Sequence, residues 1–510
     1  KLLYESVIAQ DARASLGEYY TPDWLADRVV DECVSDPGAQ RVLDPACGSG
    51  TFIFHAARAF LIAADSAGMP NGQAVRALTE HVIGMDVHPV AVTLARVTYL
   101  LAIGSTRLTA PDRGPITVPI YLGDSLQWEQ QPDLFGGGDV VTISTAGDDL
   151  VQGGGGALFG DDLIFPRSVL NDAARFDQLV TAMADKATDT TDKPNRDLMR
   201  PIIRQFAIND DDAAILTATF DTMRRLHGSG KDHIWGYYVR NLIRPLWLAE
   251  GANRVDVLIG NPPWLRYSKM LSSMQERYKA LAKQRGLLSG PLGASGRDLS
   301  TLFVARAVQL YLKPQGCFGF VMPHGTMTRK PHEGFRSGNW SSRDGGDLKV
   351  AFTKPWDLSA APTGFPMVSC VVFGTHSETA AHRLPTEVQL WSSTLRSPAG
   401  SWEALKDRFT RSDGRVHALG AGDALPESPY RRRFRQGAVL APRALLFAVE
   451  GSAGPLGAGA GRVVVDSRRT TAEKRPWKDL PSIHATVERA FLRPVHVGET
   501  RLPFRLLEPL

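Results

Sequence analysis

The run from Arg41 to Phe52, RVLDPACGSGTF, constrains the fold most: a short apolar strand ends on an aspartate and turns through two glycines into the helix TFIFHAARAFLIAA. Glycines at such a turn let a ligand approach the backbone, and the start of the helix offers N–H groups that the helix itself does not use. The same rhythm continues downstream. HVIGMDV and VPIYLGDSL read as strands, with HPVAVTLARVTYLLAI as the helix between them. Strands alternating with helices of this length imply a parallel, doubly wound α/β sheet. The rhythm lapses from Gln127 to about Lys231, where glycine-rich loops lead into helical text such as RFDQLVTAMADKA and DDAAILTATFDTMRRL. It resumes at VDVLIGNPPW, passes through the helix DLSTLFVARAVQLYL and reaches the strands GCFGFVMP and MVSCVVFG.

Composition sets the outer limits. With 510 residues, 43% hydrophobic and 22% charged, the chain has the make-up of a globular protein of about three domains. Glycine and proline show no three-residue period, which excludes a collagen-like chain. No apolar run approaches the roughly 20 residues of a membrane helix. The start, KLLYESVIAQDARAS, has neither a signal-peptide core nor an initiating Met, so the natural protein is expected to begin upstream, and RLLEPL reads as a cut end. Four scattered cysteines without a CxxC pair exclude a disulfide scaffold and the usual zinc ribbons. They fit a reducing cytoplasm, and no metal site is expected. Net charge is only +4, but from Ser401 to Leu510 there are 19 Lys+Arg against 12 Asp+Glu, whereas the first 400 residues carry 39 against 42. A basic end on a near-neutral body suggests a polyanion partner.

The glycine turn does not match a dinucleotide site. That fingerprint needs a third glycine where this chain has Ile53, and an acid about 20 residues on, whereas the next strand-ending acid is Asp86. Gly228-Ser229-Gly230-Lys231 resembles the end of a P-loop, but Arg225 and Asp232 break the pattern at both ends. Another ligand fits better. Asp44 precedes the turn, where a carboxylate can meet a ligand ammonium. Asp86 ends the second strand, where it can hydrogen-bond two ribose hydroxyls, and Asp124 ends the third, near an adenine amine. One ammonium, one ribose and one adenine describe S-adenosylmethionine.

Asn261-Pro262-Pro263-Trp264 follows the strand VDVLIG, at the sheet edge where doubly wound folds place their sites. An exocyclic amine on a heteroaromatic ring is a poor nucleophile because its lone pair is delocalised. Hydrogen bonds from that amine to the Asn261 oxygen and the Pro262 carbonyl favour a pyramidal nitrogen aimed at a sulfonium methyl. Two prolines hold these acceptors in place. Trp264 offers a stacking face for an extruded base, worth roughly 1–3 kcal/mol.

GEYYTP (17–22), DPACGSGTF (44–52), GMDVHP (84–89), GDS (123–125), NPPW (261–264), DLSTLFVARA (298–307) and CFGFVMP (317–323) occur in that order. The set resembles the gamma class of amino-methylating DNA methyltransferases, which includes Type I and Type IIG modification modules and the methylases of the BREX and DISARM phage-defence systems. The resemblance covers about residues 15 to 375. It implies a class I methyltransferase sheet with Tyr20, Thr21 and Pro22 flanking the methionine end of the cofactor. Asp44, Ala46, Cys47, Gly48, Gly50, Thr51 and Phe52 would form the cofactor turn. Asp86 with Val87 would hold the ribose, Asp124 with Ser125 the adenine, and Asn261 to Trp264 the target amine, Asn261 also bordering the cofactor. Tyr267 and Phe365 are further candidates for DNA contact, Phe365 as a second stacking face or a core residue.

The expected divisions are an N-terminal helical segment (1–40), the cofactor half (41–126), a mostly helical insertion (127–235), the catalytic half (236–375) and a basic region that starts or links to target recognition (376–510). In the last, Tyr430-Arg431-Arg432-Arg433-Phe434-Arg435 interleaves cations and aromatics, and Arg462, Arg468, Arg469, Lys474, Arg475 and Lys478 follow. Arginine clusters suit phosphate contacts.

No cysteine follows a proline, which disfavours cytosine C5 methylation, and Asn rather than Ser at position 261 favours adenine N6 over cytosine N4. No nuclease set or helicase P-loop accompanies these motifs. The expectation is an S-adenosylmethionine-dependent DNA adenine-N6 methyltransferase in the cytoplasm, with double-stranded DNA and defence-system subunits as partners and no membrane. The alternatives are a non-catalytic DNA-recognition subunit and an rRNA or protein-amide methyltransferase.

Overall fold

The computed structural model describes residues 19–126, 140–143, 163–170, 173–187, 198–228, 244–288, 296–341, 346–395, 397, 399–419, 442–455, 457–468, 477–496, 501–502 and 505–507. The chain divides into two compact units, Lys1–Asp423 and Ala424–Leu510.

Among its described residues the first unit begins with helix α1 (Asp23–Cys33) and continues β1 (Val42–Asp44), α2 (Thr51–Ser66), α3 (Asn71–His81), β2 (Val82–Asp86), α4 (Pro89–Ile103) and β3 (Ile120–Leu122). Next come the antiparallel pair β4 (Val140–Ile143) and β5 (Leu163–Pro166) and three helices, α5 (Ala173–Ala187), α6 (Met199–Gln205) and α7 (Asp210–Gly228). These helices and β5 bury their own apolar cluster, with Phe165, Phe176, Leu179, Met183, Leu216 and Phe220 nearly inaccessible. The main sheet resumes with β6 (Val255–Gly260), α8 (Ser272–Gln284), α9 (Ser300–Tyr311) and β7 (Leu312–Pro323). Five more strands complete it: β8 (Lys349–Phe352), β9 (Trp356–Ala360), β10 (Ser369–Ser377), β11 (Glu387–Ser393) and β12 (Phe409–Arg415).

The strand order is β12-β11-β9-β10-β7-β6-β1-β2-β3, with β8 pairing on β10. From β3 to β7 every neighbour is parallel; beyond β7, β10 runs antiparallel and starts an extension of mixed direction. This is the doubly wound α/β sheet that the alternating motifs require. Its central strands are apolar on both faces because helices cover both. Val42, Val257 and Ile259 point into a cluster with Trp24, Phe60, Leu78 and Tyr99, whereas Leu43 and Leu258 face Tyr278, Leu302, Phe303 and Val308. The alternation is the period-two geometry of a strand. No helix among the described residues is long and apolar enough to cross a membrane.

The second unit contains an antiparallel sheet of β13 (Ala448–Glu450), β14 (Arg462–Ser467) and β15 (His484–Glu488). Its Arg462 and Arg468 are described; Arg431, Arg432, Arg433 and Arg435 lie outside the described residues.

Candidate active site at the carboxyl edge of the sheet

Because β3, β2, β1 and β6 are parallel neighbours, the residues ending them meet at one edge. Asp44 closes β1, Asp86 closes β2, Asp124 lies two residues past β3, and Asn261 follows β6. Register brings β1 and β6 closest: Leu43 pairs with Leu258, so the Asp44 carboxylate comes to lie over Gly260. A Cβ on Gly260 would stand 2.6 Å from Asp44 Oδ1, and the φ of +150° there also suits glycine. This glycine, immediately before Asn261, was not singled out by the motif reading, although it stands in plain view in IGNPPW.

Asp44 is 1% exposed. Its Oδ1 accepts the Ala46 N–H at 3.1 Å, while its Oδ2 is buried without a hydrogen-bond partner. Burial pushes its pKa well above the carboxylate range and the Asp86 charge adds to this, against the lowering effect of the Ala46 bond. Asp86 is held differently. Gly48 N donates to its Oδ2 at 2.9 Å and His88 N to its Oδ1 at 2.8 Å, so the carboxylate braces both the glycine turn and the start of α4. Val87 beside it is 60% exposed, an apolar side chain at the mouth of the edge.

The turn takes its shape from its glycines. Gly48 and Gly50 have φ of +54° and +89°, and Gly50 caps α2 where a Cβ would sit 3.1 Å from Ala95 Cα. The Thr98 hydroxyl donates to the Ser49 carbonyl at 2.8 Å, fastening the turn to α4. Cys47 and Phe52 point into the core, Ala46 and Thr51 are half-buried, and burial raises the Cys47 thiol pKa well above its usual range. Asp124 accepts the Leu126 N–H on Oδ1 at 2.9 Å, and Ser125 is buried.

Asn261 is fixed from far upstream. Its Nδ2 donates to the Tyr19 carbonyl at 3.0 Å and the Thr21 hydroxyl oxygen at 3.2 Å. A carbonyl can only accept, so the Tyr19 contact sets the amide orientation and leaves Oδ1 as the remaining acceptor. That oxygen is buried and has no partner. Pro22 ends the same segment, and its carbonyl accepts from Leu25 and Ala26 at the start of α1. Tyr20 is half-buried between them.

Trp264 is not an open platform. It is 2% exposed, with ring centroids of Tyr19 and Phe365 at 5.2 and 4.9 Å, both tilted. Pro262 is buried and Pro263 half-buried in the same loop. Phe365 thus belongs to this aromatic trio, as does Tyr19, which the motif reading passed over in favour of its neighbour Tyr20. Tyr267 packs instead on Tyr278 at 5.6 Å, with the Lys279 ammonium 5.7 Å from its ring. Among the described residues no group of three or more His, Cys, Asp or Glu is placed to hold a metal ion.

Known proteins share this arrangement of sequence. Residues 80–342 match the family of Eco57I restriction-modification methylases, and residues 3–126 match N-6 DNA methylases. The adenine-specific methyltransferase PglX of Streptomyces coelicolor is 32% identical in an alignment of 151 residues that covers 27% of this chain and 12% of that protein. This chain therefore spans only a small part of that curated relative's length. Among solved structures, the M protein of the Type I restriction enzyme EcoKI aligns over 76% of this chain and 52% of its own at 12% identity and a TM-score of 0.36. The Type ISP restriction-modification enzyme LlaGI, in complex with a DNA substrate mimic, aligns over 78% and 26% at 12% identity and a TM-score of 0.40. With more than half of its residues inside the first of these matches, the chain belongs to the Eco57I restriction-modification methylase family.

Proposed function

We propose that this chain carries the catalytic domain of an S-adenosylmethionine-dependent DNA methyltransferase acting on adenine N6, as part of a restriction-modification or phage-defence system. One observation carries the reading. Two buried acceptors without partners, Asp44 Oδ2 and Asn261 Oδ1, lie at the ends of adjacent parallel strands. A methyl donor with an ammonium group and an acceptor amine would satisfy both. Family membership supports a methyl donor, and the described side chains fit this particular one. Asp44 would take the ammonium, Asp86 the ribose hydroxyls, and Asp124 with Ser125 the adenine. Tyr20, Thr21, Pro22 and the glycine turn 46–52 would border the methionine portion, and Val87 would cover the edge of the sugar.

The bound cofactor supplies an electrophilic methyl group on a sulfonium. The chain's part is orientation and proton handling. Asn261 Oδ1 and the Pro262 carbonyl accept the two N–H bonds of the target amine, turning its lone pair out of conjugation and keeping it in line. As the amine nitrogen gains its fourth bond it becomes acidic, and these same acceptors hold the leaving proton before water takes it. An adenine inside a duplex cannot reach this edge, so the base must be extruded. Phe365, half-buried on the loop before β10, is the ring proposed to yield so that the base can stack on Trp264. The arginine-rich segment 431–435 and the second unit are assigned to DNA phosphate contact.

The test is transfer of labelled methyl from S-adenosylmethionine to unmethylated duplex DNA, followed by digestion to nucleosides. Label in N6-methyladenine is the expected result. Label in N4-methylcytosine would replace the acceptor, and cofactor binding without transfer would favour a recognition subunit.

A further inference from the structure

Helix α9 touches both halves of the site. Just before its start, Leu299 N donates to the Leu265 carbonyl at 2.9 Å and Asp298 forms a β-bridge with Arg266, one and two residues beyond Trp264. At its far end the helix grips the loop after β3. The Arg306 guanidinium donates through Nε and Nη2 to the Leu126 carbonyl at 3.2 and 3.1 Å, and through Nη1 to Gln309 Oε1 at 2.9 Å. The Tyr311 hydroxyl donates to the Ser125 carbonyl at 2.7 Å. Arg306 is 2% exposed and Tyr311 0%.

The Leu126 peptide transmits this grip. Its carbonyl is held by Arg306, and its N–H returns to Asp124 Oδ1 at 2.9 Å. The orientation of the Asp124 carboxylate therefore depends on two side chains of α9 that are not themselves at the sheet edge. A charged donor gripping a carbonyl twice is stronger than a neutral one, and a desolvated guanidinium has no water to fall back on.

We propose that α9 is a strut that sets the cofactor's adenine end in register with the Asn-Pro-Pro-Trp loop, with Arg306 and Tyr311 as positioning residues for Asp124. The inference rests on the S-adenosylmethionine reading of this edge. It needs no contact between either residue and the ligand. Released from the strut, the Leu126 peptide no longer holds the Asp124 carboxylate in place, and the cofactor loses a preorganised acceptor while the methyl-accepting loop keeps its own anchors at Tyr19 and Thr21.

The experiment compares the full chain with Tyr311→Phe, Arg306→Lys and Arg306→Met. S-adenosylmethionine and S-adenosylhomocysteine affinities are measured by calorimetry, and methyl transfer to DNA at saturating cofactor. Tyr311→Phe is expected to weaken both cofactor affinities about tenfold, with kcat at saturation and the KM for DNA within about twofold. Arg306→Met is expected to weaken them further, and Arg306→Lys to recover part of the loss. Misfolding alone would reduce the binding stoichiometry and kcat together and leave the dissociation constant of the remaining folded protein unchanged, which would overturn the strut. Tight binding by the wild type with unchanged dissociation constants in all three variants would overturn it as well. Failure of the wild type to bind either ligand would remove the cofactor reading and this inference with it.

Discussion

Asp44 is a carboxyl that the fold would rather keep neutral. Burial and the Asp86 charge raise its pKa well above the ordinary value, so the folded chain holds this proton more tightly than the unfolded chain does. A raised carboxyl pKa contributes stability at low pH that is lost as pH rises through the ordinary carboxylate range towards the folded value. Asp44→Asn should therefore raise the thermal midpoint of the ligand-free protein, with a gain that grows from pH 4 upwards. It should also weaken S-adenosylmethionine binding at least about tenfold, a loss of about 1.4 kcal/mol or more. An asparagine variant less stable than wild type at pH 8 would contradict this account of the buried carboxyl. At this scale the sequence was informative about residue type and silent about partners. Asp44, Asp86 and Asn261 are legible because each ends an apolar strand. That Asn261 takes its orientation from Tyr19 and Thr21, about 240 positions away, depends on tertiary closure that no local pattern encodes. Likewise, Trp264 reads as a stacking face from its motif, but the rings that cover it come from distant segments.

The elements bearing the site are tied together by contacts with testable pH and size limits. His55 of α2 lies between Asp23 and Asp27 of α1, at 2.9 and 3.3 Å. Burial alone would lower its pKa, but bonds to Asp23 and then Asp27 outweigh this and raise it to about 9. The clamp therefore contributes fully below the free imidazole value of 6.5 and is lost as pH rises through about 9. Its worth is about 2 kcal/mol once solvent screening at the part-exposed aspartates is allowed for. Thermal midpoints of wild type and His55→Gln should differ by about 2 °C at pH 6 and converge near pH 10; a gap independent of pH would refute a charged clamp. The junction of β6 with β1 is limited by size. Gly260→Ala forces a Cβ against Asp44 and an unfavourable φ, and should cost about 1–3 kcal/mol in denaturant unfolding while abolishing cofactor binding. Unchanged stability would mean that Asp44 can move aside. Strands β1, β2, β3, β6 and β7 and helices α2, α4 and α9 follow from hydrophobic period and turn residues, whereas α3 and α8 were not singled out. Strand β10 was legible as MVSCVVFG, but the β4–β5 pair, β8, β9, β11 and β12 were not, because strands of 4 to 7 residues there are defined by non-local pairing rather than by their own pattern.

Over the whole molecule, protection is unevenly distributed. Strands β1 and β2 are buried at every residue, whereas β15 alternates exposed and half-buried positions. Amide hydrogen exchange should therefore be slowest in β1, β2 and β6 and at least about a hundredfold faster in β15; equal protection in the two would contradict the burial pattern. The basic excess after Ser401 pointed to a polyanion, but sequence did not locate a sheet in Ala424–Leu510, since its strands are only 3 to 6 residues long and are defined by pairing across the sheet. What unites these scales is the claim that the unpartnered Asn261 oxygen exists to receive a target amine. The most direct measurement is single-turnover methyl transfer by Asn261→Ala beside wild type, with cofactor affinity determined on the same preparations. The account predicts transfer reduced at least about a hundredfold, as for loss of one preorganised acceptor, with cofactor affinity within about fivefold. Transfer at near wild-type rate by the alanine variant would contradict it.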